Sequence, residues 1–230
     1  MIRKSDAVAA GFLAGVPLLF VLLPSLAQCY ADLNASHAYL MSFAKFALLA
    51  TFGECFALRI VSGRYWKPDF GVLPKAVVWG VLGVIIKAAF VVFASGVPNL
   101  LAGFGLPADA LRSEGLSAAR VGSAFAVSVF MNCIFAPVFM TLHKLTDAHI
   151  HNHNGKLCAL WQPADVGALL RGVNWDVMWG FVFRKTIPLF WIPAHTITFL
   201  LPPAMQTLFA AILGIVLGVL LAVAALSGKK

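Results

Sequence analysis

Glu54, Lys87, Asn132, His195 and Thr198 are polar or ionisable side chains set inside long apolar runs. An uncompensated charge at such a position costs roughly 2.5–3.5 kcal/mol even on lenient insertion scales, so each needs a partner or a polar lining. With a helical rise of ~1.5 Å per residue, Glu54 lies ~12 Å and Lys87 ~16 Å from the same end of their runs, an offset a lysine side chain could bridge. Asn132 falls near the middle of its run, and His195 stands about eleven residues beyond Arg184. The expectation is four helices that bring polar groups to a common depth, with Glu54 as fixed anion and Lys87 as its partner. Two readings stay open: a polar interior lining a pore or substrate pathway, or buried pairs that only fix helix register. Lys45 sits closer to the end of its run and is expected to snorkel outward.

The elements that must hold these groups follow from composition. The 230 residues are 61% hydrophobic and 11% charged, with a mean hydropathy of +0.90. That balance excludes a water-solvated surface and implies an all-α, polytopic membrane bundle in a single domain, with the bilayer as principal partner. Six apolar stretches, at 7–28, 38–61, 76–98, 121–143, 184–203 and 204–226, each approach the ~20 residues that span hydrocarbon. The polar link 31–36 closes the first hairpin, and the turn-forming residues 64–69 close the second. Longer connections follow from Pro98 to Arg120 and from Lys144 to Asp176. Within the latter, Val166, Leu169, Leu170, Val173 and Val177 repeat at helical spacing and predict an interfacial helix over 163–177, flanked by Trp161, Trp175 and Trp179 at headgroup level.

The net charge of +8 does not point to nucleic acid, because the 17 basic residues are scattered at the ends of apolar runs. Arg3, Lys4, Arg64, Lys67, Lys75, Lys144, Lys156, Arg171, Lys229 and Lys230 all fall on one side of a six-span chain. The opposite loops hold Arg112 and Arg120 against Asp109 and Glu114. Both termini are therefore expected on the cytoplasmic face of a bacterial inner membrane or an organelle membrane. The first run imitates a signal peptide, yet its apolar core is too long and Gln28 before Cys29 spoils a lipoprotein-type cleavage site.

Pro188 and Pro193 punctuate the fifth run; Pro193 removes a backbone hydrogen bond and is expected to kink the helix, freeing the Leu189 carbonyl. Trp191, His195, Thr198 and Pro202 recur at helical spacing on one face. His149, His151 and His153, with His143 and Asp147 before them, alternate in a segment read as an extended loop and are weak metal candidates, since neutral imidazole ligates zinc or nickel. No firm metal site, cofactor or catalytic motif is expected, and Cys29, Cys55, Cys133 and Cys158 read as packing residues. Gly214 and Gly218 form a small-residue pattern suited to packing inside the bundle, with a homo-oligomer as the other use.

Three blocks carry a resemblance. Gly53-Glu54, Asn132 to Pro137, and Trp191-Ile192-Pro193-Ala194-His195 leading to Thr198-Phe199 and Pro203 resemble, in order, the blocks of the family of the twenty-two-kilodalton peroxisomal membrane protein and its mitochondrial inner-membrane relatives (the Mpv-seventeen/PMP-twenty-two family). In that register His195 stands for a glutamine and Thr198 for an asparagine. The family's third-span block is absent, with residues 85–91 in its place. The resemblance covers residues 42–225 and implies a small multi-span protein with a channel-like or metabolite-handling role. A channel or carrier for small solutes or ions is thus one expectation, and a structural or assembly factor without transport is its alternative.

Overall fold

Long runs of leucine, valine, alanine and phenylalanine, broken by glycine and proline at the turns, fold into helices almost throughout the computed structural model, which describes residues 6, 7, 9, 11, 15, 18, 19 and 22–227. The chain divides into two units, Met1–Met41 and Ser42–Lys230. In the first, helix α1 spans Pro24–Ser36, with proline at its opening turn where a missing N–H costs nothing. The polar link expected over 31–36 is helical instead. Gln28 Nε2 donates to Asp32 Oδ1 at 2.9 Å and Ser36 Oγ to the Asp32 carbonyl at 2.7 Å, satisfying these side chains on the helix itself. The expected first crossing at 7–28 is interrupted at Leu23, and much of it lies outside the described residues.

Helix α2 covers Ala38–Ser62 and carries the chain into the second unit; α3 covers Val72–Ala102 and α4 Ala118–Asn152. Short helices α5 (Val166–Arg171) and α6 (Trp175–Val177) lead into a π-helical segment, Met178–Trp191, continued by α7 (Ile192–Leu200). Helix α8 spans Pro203–Ser227. The interfacial helix expected over 163–177 is thus two pieces, broken at Gly172–Asn174, where the Asn174 side chain accepts from the Val177 N–H and starts the next turn.

Three of the described helices, α3, α4 and the Pro203–Val223 part of α8, are long and apolar enough to cross a membrane. Helix α2 has the length but carries Lys45, Glu54 and Arg59. Large apolar side chains point out of the bundle, among them Val92 at 62% exposure, Val138 at 69% and Leu189 at 76%. An apolar exterior on this scale is what lipid tails solvate and water does not. The chain is a helical membrane protein.

Helix α4 is the centre, packed chiefly against α3 and α7. Phe46 and Ala50 from α2, Ile86 and Phe90 from α3, Val127 and Met131 from α4, Phe199 from α7 and Ala210 and Ala211 from α8 form one buried core. Small residues let the backbones approach. A Cβ on Gly53 of α2 would lie 3.0–3.1 Å from Ile215 in α8, and one on Gly218 would lie 3.9 Å from the Gly53 carbonyl, whereas one on Gly214 would meet no atom within 4 Å.

One turn fixes how the helix ends meet. Gly71 caps α3 at φ 72°, and an added Cβ would sit 2.5 Å from Ile150 and 2.9 Å from the Cα of Gly155, itself at φ 68°. The loop before α3 and the loop after α4 therefore close on each other through two glycines. Gly71→Ala should cost about 2 kcal/mol or more, since the left-handed conformation alone costs ~1–2 kcal/mol with a Cβ and the contact adds overpacking. Urea or SDS titration of the purified protein measures it, and a neutral result would mean the loops separate freely.

Candidate functional site

Helix α3 begins at Val72, so its first two turns present Lys75 and Trp79 four residues apart on one face. Helix α4 presents His143 and Asp147 with the same spacing. Glu54 of α2 meets three of them, and Asp147 joins through Lys75 and His143. Its Oε2 lies 2.6 Å from Lys75 Nζ, while Oε1 accepts from Trp79 Nε1 at 2.7 Å and lies 3.1 Å from His143 Nε2. Lys75 Nζ also pairs with Asp147 Oδ1, and His143 Nε2 is 3.7 Å from Asp147 Oδ2. A carboxylate can only accept, so the His143 proton facing Glu54 sits on Nε2. Trp79 packs against His143 with ring centres 4.3 Å apart and planes tilted by 42°, holding the imidazole in place. Two carboxylates face one ammonium, and the N–H groups of Trp79 and His143 complete the shell.

Glu54, His143 and Asp147 could offer one metal-ligating atom each within 4.8 Å of one another. Lys75 occupies the place between the two carboxylates that a cation would take, and its ammonium pairs with both. The donor set is therefore better described as an ion-pair network than as a metal site.

The pairing expected for Glu54 is corrected by this geometry. Lys87 lies fifteen residues into α3, ~22 Å from its start, whereas Glu54 is eight residues, ~12 Å, from the end of α2. The residue at Glu54's depth in α3 is Trp79, and Lys75 reaches from just below. Lys45 does not snorkel; it is 6% exposed and donates to Thr207 Oγ1 at 2.9 Å.

A second polar group lies deeper. Asn132 and His143 are both on α4, eleven residues or ~16 Å apart, so the polar side chains occupy two depths and not one. Ser128 Oγ donates to the Ile192 carbonyl at 2.7 Å. Asn132 Nδ2 donates to the Ser128 carbonyl at 2.8 Å and to Ser128 Oγ at 3.2 Å, and Asn132 Oδ1 lies 3.1 Å from His195 Nδ1. His195 stacks on Trp191, with centres 5.1 Å apart, and meets the edge of Phe90 at 5.7 Å. The hydrogen bond across the bundle between Asn132 and His195 is thus present. Thr198, placed by sequence on the same polar stripe, is fully buried and donates to the Ala194 carbonyl at 2.9 Å.

Between the two groups runs a cavity of about 640 Å³, bordered by residues of α2, α3, α4, the π-helical segment, α7 and α8. Glu54, His143, Asp147 and Asn174 line one part; Asn132, Trp191 and His195 line another; Phe46, Ile86, Phe90, Phe135 and Phe139 make apolar wall. The π-helical winding explains how one strand of chain serves this wall. Asn174, Met178, Val182, Thr186, Trp191 and His195 recur every four or five residues, the spacing of a turn wider than an α-helix. Pro188 lies within that winding, and Pro193 sits in the first turn of α7, where the winding changes. The helical path continues through both prolines. The bundle donor observed here reaches the Ile192 carbonyl, while the Leu189 side chain points outward.

The histidine segment is helical to Asn152 and is not a loop. His149 and His153 lie one turn apart with tilted rings in contact, and each bonds a backbone carbonyl, Ala159 and His149 respectively, while His151 faces Asp69 at 3.5 Å. Residues two apart on a helix diverge, so the three imidazoles do not converge on one ion. Sequence alone leaves Lys75 and Trp79 out of the site and places His143 and Asp147 beside the histidine segment instead of Glu54. Their signal was the paired four-residue spacing at helix ends, Lys75/Trp79 and His143/Asp147, facing a lone buried glutamate.

Comparison with known proteins finds no family model, no curated protein and no solved structure that matches this chain.

Proposed function

We propose that the chain is a multi-pass membrane carrier or channel-like protein for small solutes, with the cavity beside Glu54 as the solute site. The observation that carries the reading is that cavity: about 640 Å³ inside the bundle, with polar groups at two depths and apolar wall between them. Mixed lining of this kind suits a small organic solute better than a bare ion, which would have to shed water against phenylalanine. The charge asymmetry supports six crossings with both termini cytoplasmic, α2 and the π-helical segment with α7 supplying crossings whose polar faces turn inward. Membership of the Mpv-seventeen/PMP-twenty-two family is proposed on the same basis, because Gly53, Glu54, Asn132, Phe135, Ala136, Trp191 and His195 from all three resembling blocks border the cavity. A bacterial inner membrane or an organelle membrane, and self-association, complete the proposal.

A specific observation favours the non-transporting alternative, an assembly or structural factor: both oxygens of Glu54 are already engaged, by Lys75, Trp79 and His143. Flux of graded polyols and organic acids into proteoliposomes, with conductance in planar bilayers, separates the two. Transport predicts flux above protein-free vesicles that Glu54→Gln changes severalfold while the variant still inserts. Wild-type protein without flux, together with Glu54→Gln lowering only the melting temperature, would leave the structural role.

A further inference from the structure

The hydrogen bonds at the deep end of the cavity have only one consistent direction. The Ile192 carbonyl can only accept, so Ser128 Oγ spends its proton there and offers a lone pair to Asn132 Nδ2. The Asn132 amide nitrogen also donates to the Ser128 carbonyl, which turns Oδ1 toward His195. His195 Nδ1 must then carry the proton, and Nε2 is left with a bare lone pair. Among the described residues Nε2 has no hydrogen-bond partner, and His195 borders the cavity. The ring is fixed by Trp191 on its face and Phe90 at its edge. Phe90, Met131 and Phe135 supply apolar wall around it. Both carboxylates that border the cavity, Glu54 and Asp147, belong to the other polar group, ~16 Å along α4.

From this we propose that the deep end of the cavity is a binding site for the uncharged hydroxyl head of an apolar molecule, which donates its proton to His195 Nε2. An acceptor alone could meet the unpartnered Trp191 Nε1–H beside His195 but would leave Nε2 unmet, and a lone pair facing a pure hydrocarbon would lose its hydration without replacement. An ammonium could donate as well, but it would enter an apolar chamber with no carboxylate beside it. A hydroxyl satisfies the lone pair and brings no charge. The inference rests on the cavity being a solute site, the reading given above, but not on movement of that solute across the membrane.

The test uses the full-length protein in phosphatidylcholine nanodiscs and a diazirine-bearing twelve-carbon primary alcohol, with crosslinks mapped by peptide mass spectrometry. Saturable labelling of the segments holding Phe90, Met131 and Trp191 is expected, competed by 1-dodecanol. Its methyl ether and the corresponding primary ammonium should compete about tenfold less well, as one lost hydrogen bond or one buried charge requires. His195→Phe should abolish the alcohol's advantage over the ether. Should that variant fail to fold, the wild-type comparison of alcohol, ether and ammonium decides by itself. Equal competition by the ether or the ammonium, an advantage that survives His195→Phe, or labelling that does not saturate would overturn the assignment. Discrimination without vesicle flux would sink transport and leave the hydroxyl site standing; flux without discrimination would do the reverse.

Discussion

Glu54→Leu will destabilise the bundle by about 3 kcal/mol, because it removes the carboxylate that one ammonium and two N–H donors share. Lys75 Nζ keeps only Asp147, and Trp79 Nε1 and the Nε2–H of His143 lose their acceptor. Breaking a fully buried pair by deleting one partner costs roughly 3–5 kcal/mol; the lower end applies here, since the Glu54 side chain retains 20% exposure. Glu54→Gln keeps an acceptor for Trp79 and should cost less, which is why it serves as the flux variant. The decisive measurement is a double-mutant cycle with Lys75→Met by SDS or urea titration. Removing both partners leaves no stranded ammonium, so the pair should cost at least ~1.5 kcal/mol less than the sum of the single variants. Additivity within ~0.5 kcal/mol would mean that the two residues do not act as a unit.

The helical membrane class was legible from composition and run length, because lipid exposure leaves a compositional mark that no turn or cap can hide. Helices α2, α3, α4 and α8 lie where the apolar runs lie, although α3 and α4 extend beyond them to Val72 and Asn152. That extension is what misdirected the partner of Glu54. Starting the third run at 76 placed Lys75 in a loop and made Lys87 look level with Glu54. The apolar run marks the lipid-facing length of a helix, whereas the helix itself continues into polar sequence, and the network forms in that polar extension. Glu54, Asn132 and His195 were recognisable because a polar group in an apolar run demands explanation. His143 and Asp147 were not, because His143 ends its run, Asp147 follows it, and both resemble ordinary polarity at a helix end. The π-helical winding was invisible to a search at the α-helical period. A wall repeating every four to five residues through Thr186, Trp191 and His195 fits neither the helix nor the strand template.

Gly83 is the position where one added carbon should do the most damage to the core that holds Glu54 in place. A Cβ there would lie 2.6 Å from Phe46 Cβ and 2.7 Å from Phe46 Cδ2, and Phe46 is 3% exposed in the centre of the core. The obstruction is the root of the Phe46 side chain, which moves only if α2 moves. Gly80, three residues earlier, makes an equally close approach, but to Cε2 and Cζ of Phe43, the far end of a ring that can swing. The two glycines therefore separate backbone collision from side-chain crowding. Replacing glycine by alanine inside a helix gains ~1 kcal/mol of propensity at either site. Against that, overpacking costs about 1–3 kcal/mol where the neighbour cannot yield. Gly80→Ala should come out near neutral, Gly83→Ala should lose ~1–2 kcal/mol net, and Gly83→Leu about 3 kcal/mol or more. Because Phe46 also stacks on Trp79 at 6.4 Å and borders the cavity, a shift of α2 at Gly83 would reach the Trp79 hydrogen bond to Glu54. Gly83→Ala should thus weaken the Glu54–Lys75 coupling in the same double-mutant cycle, whereas Gly80→Ala should leave it unchanged. Equal losses at the two glycines, or an intact coupling in Gly83→Ala, would show that α2 and α3 slide past each other without disturbing the network.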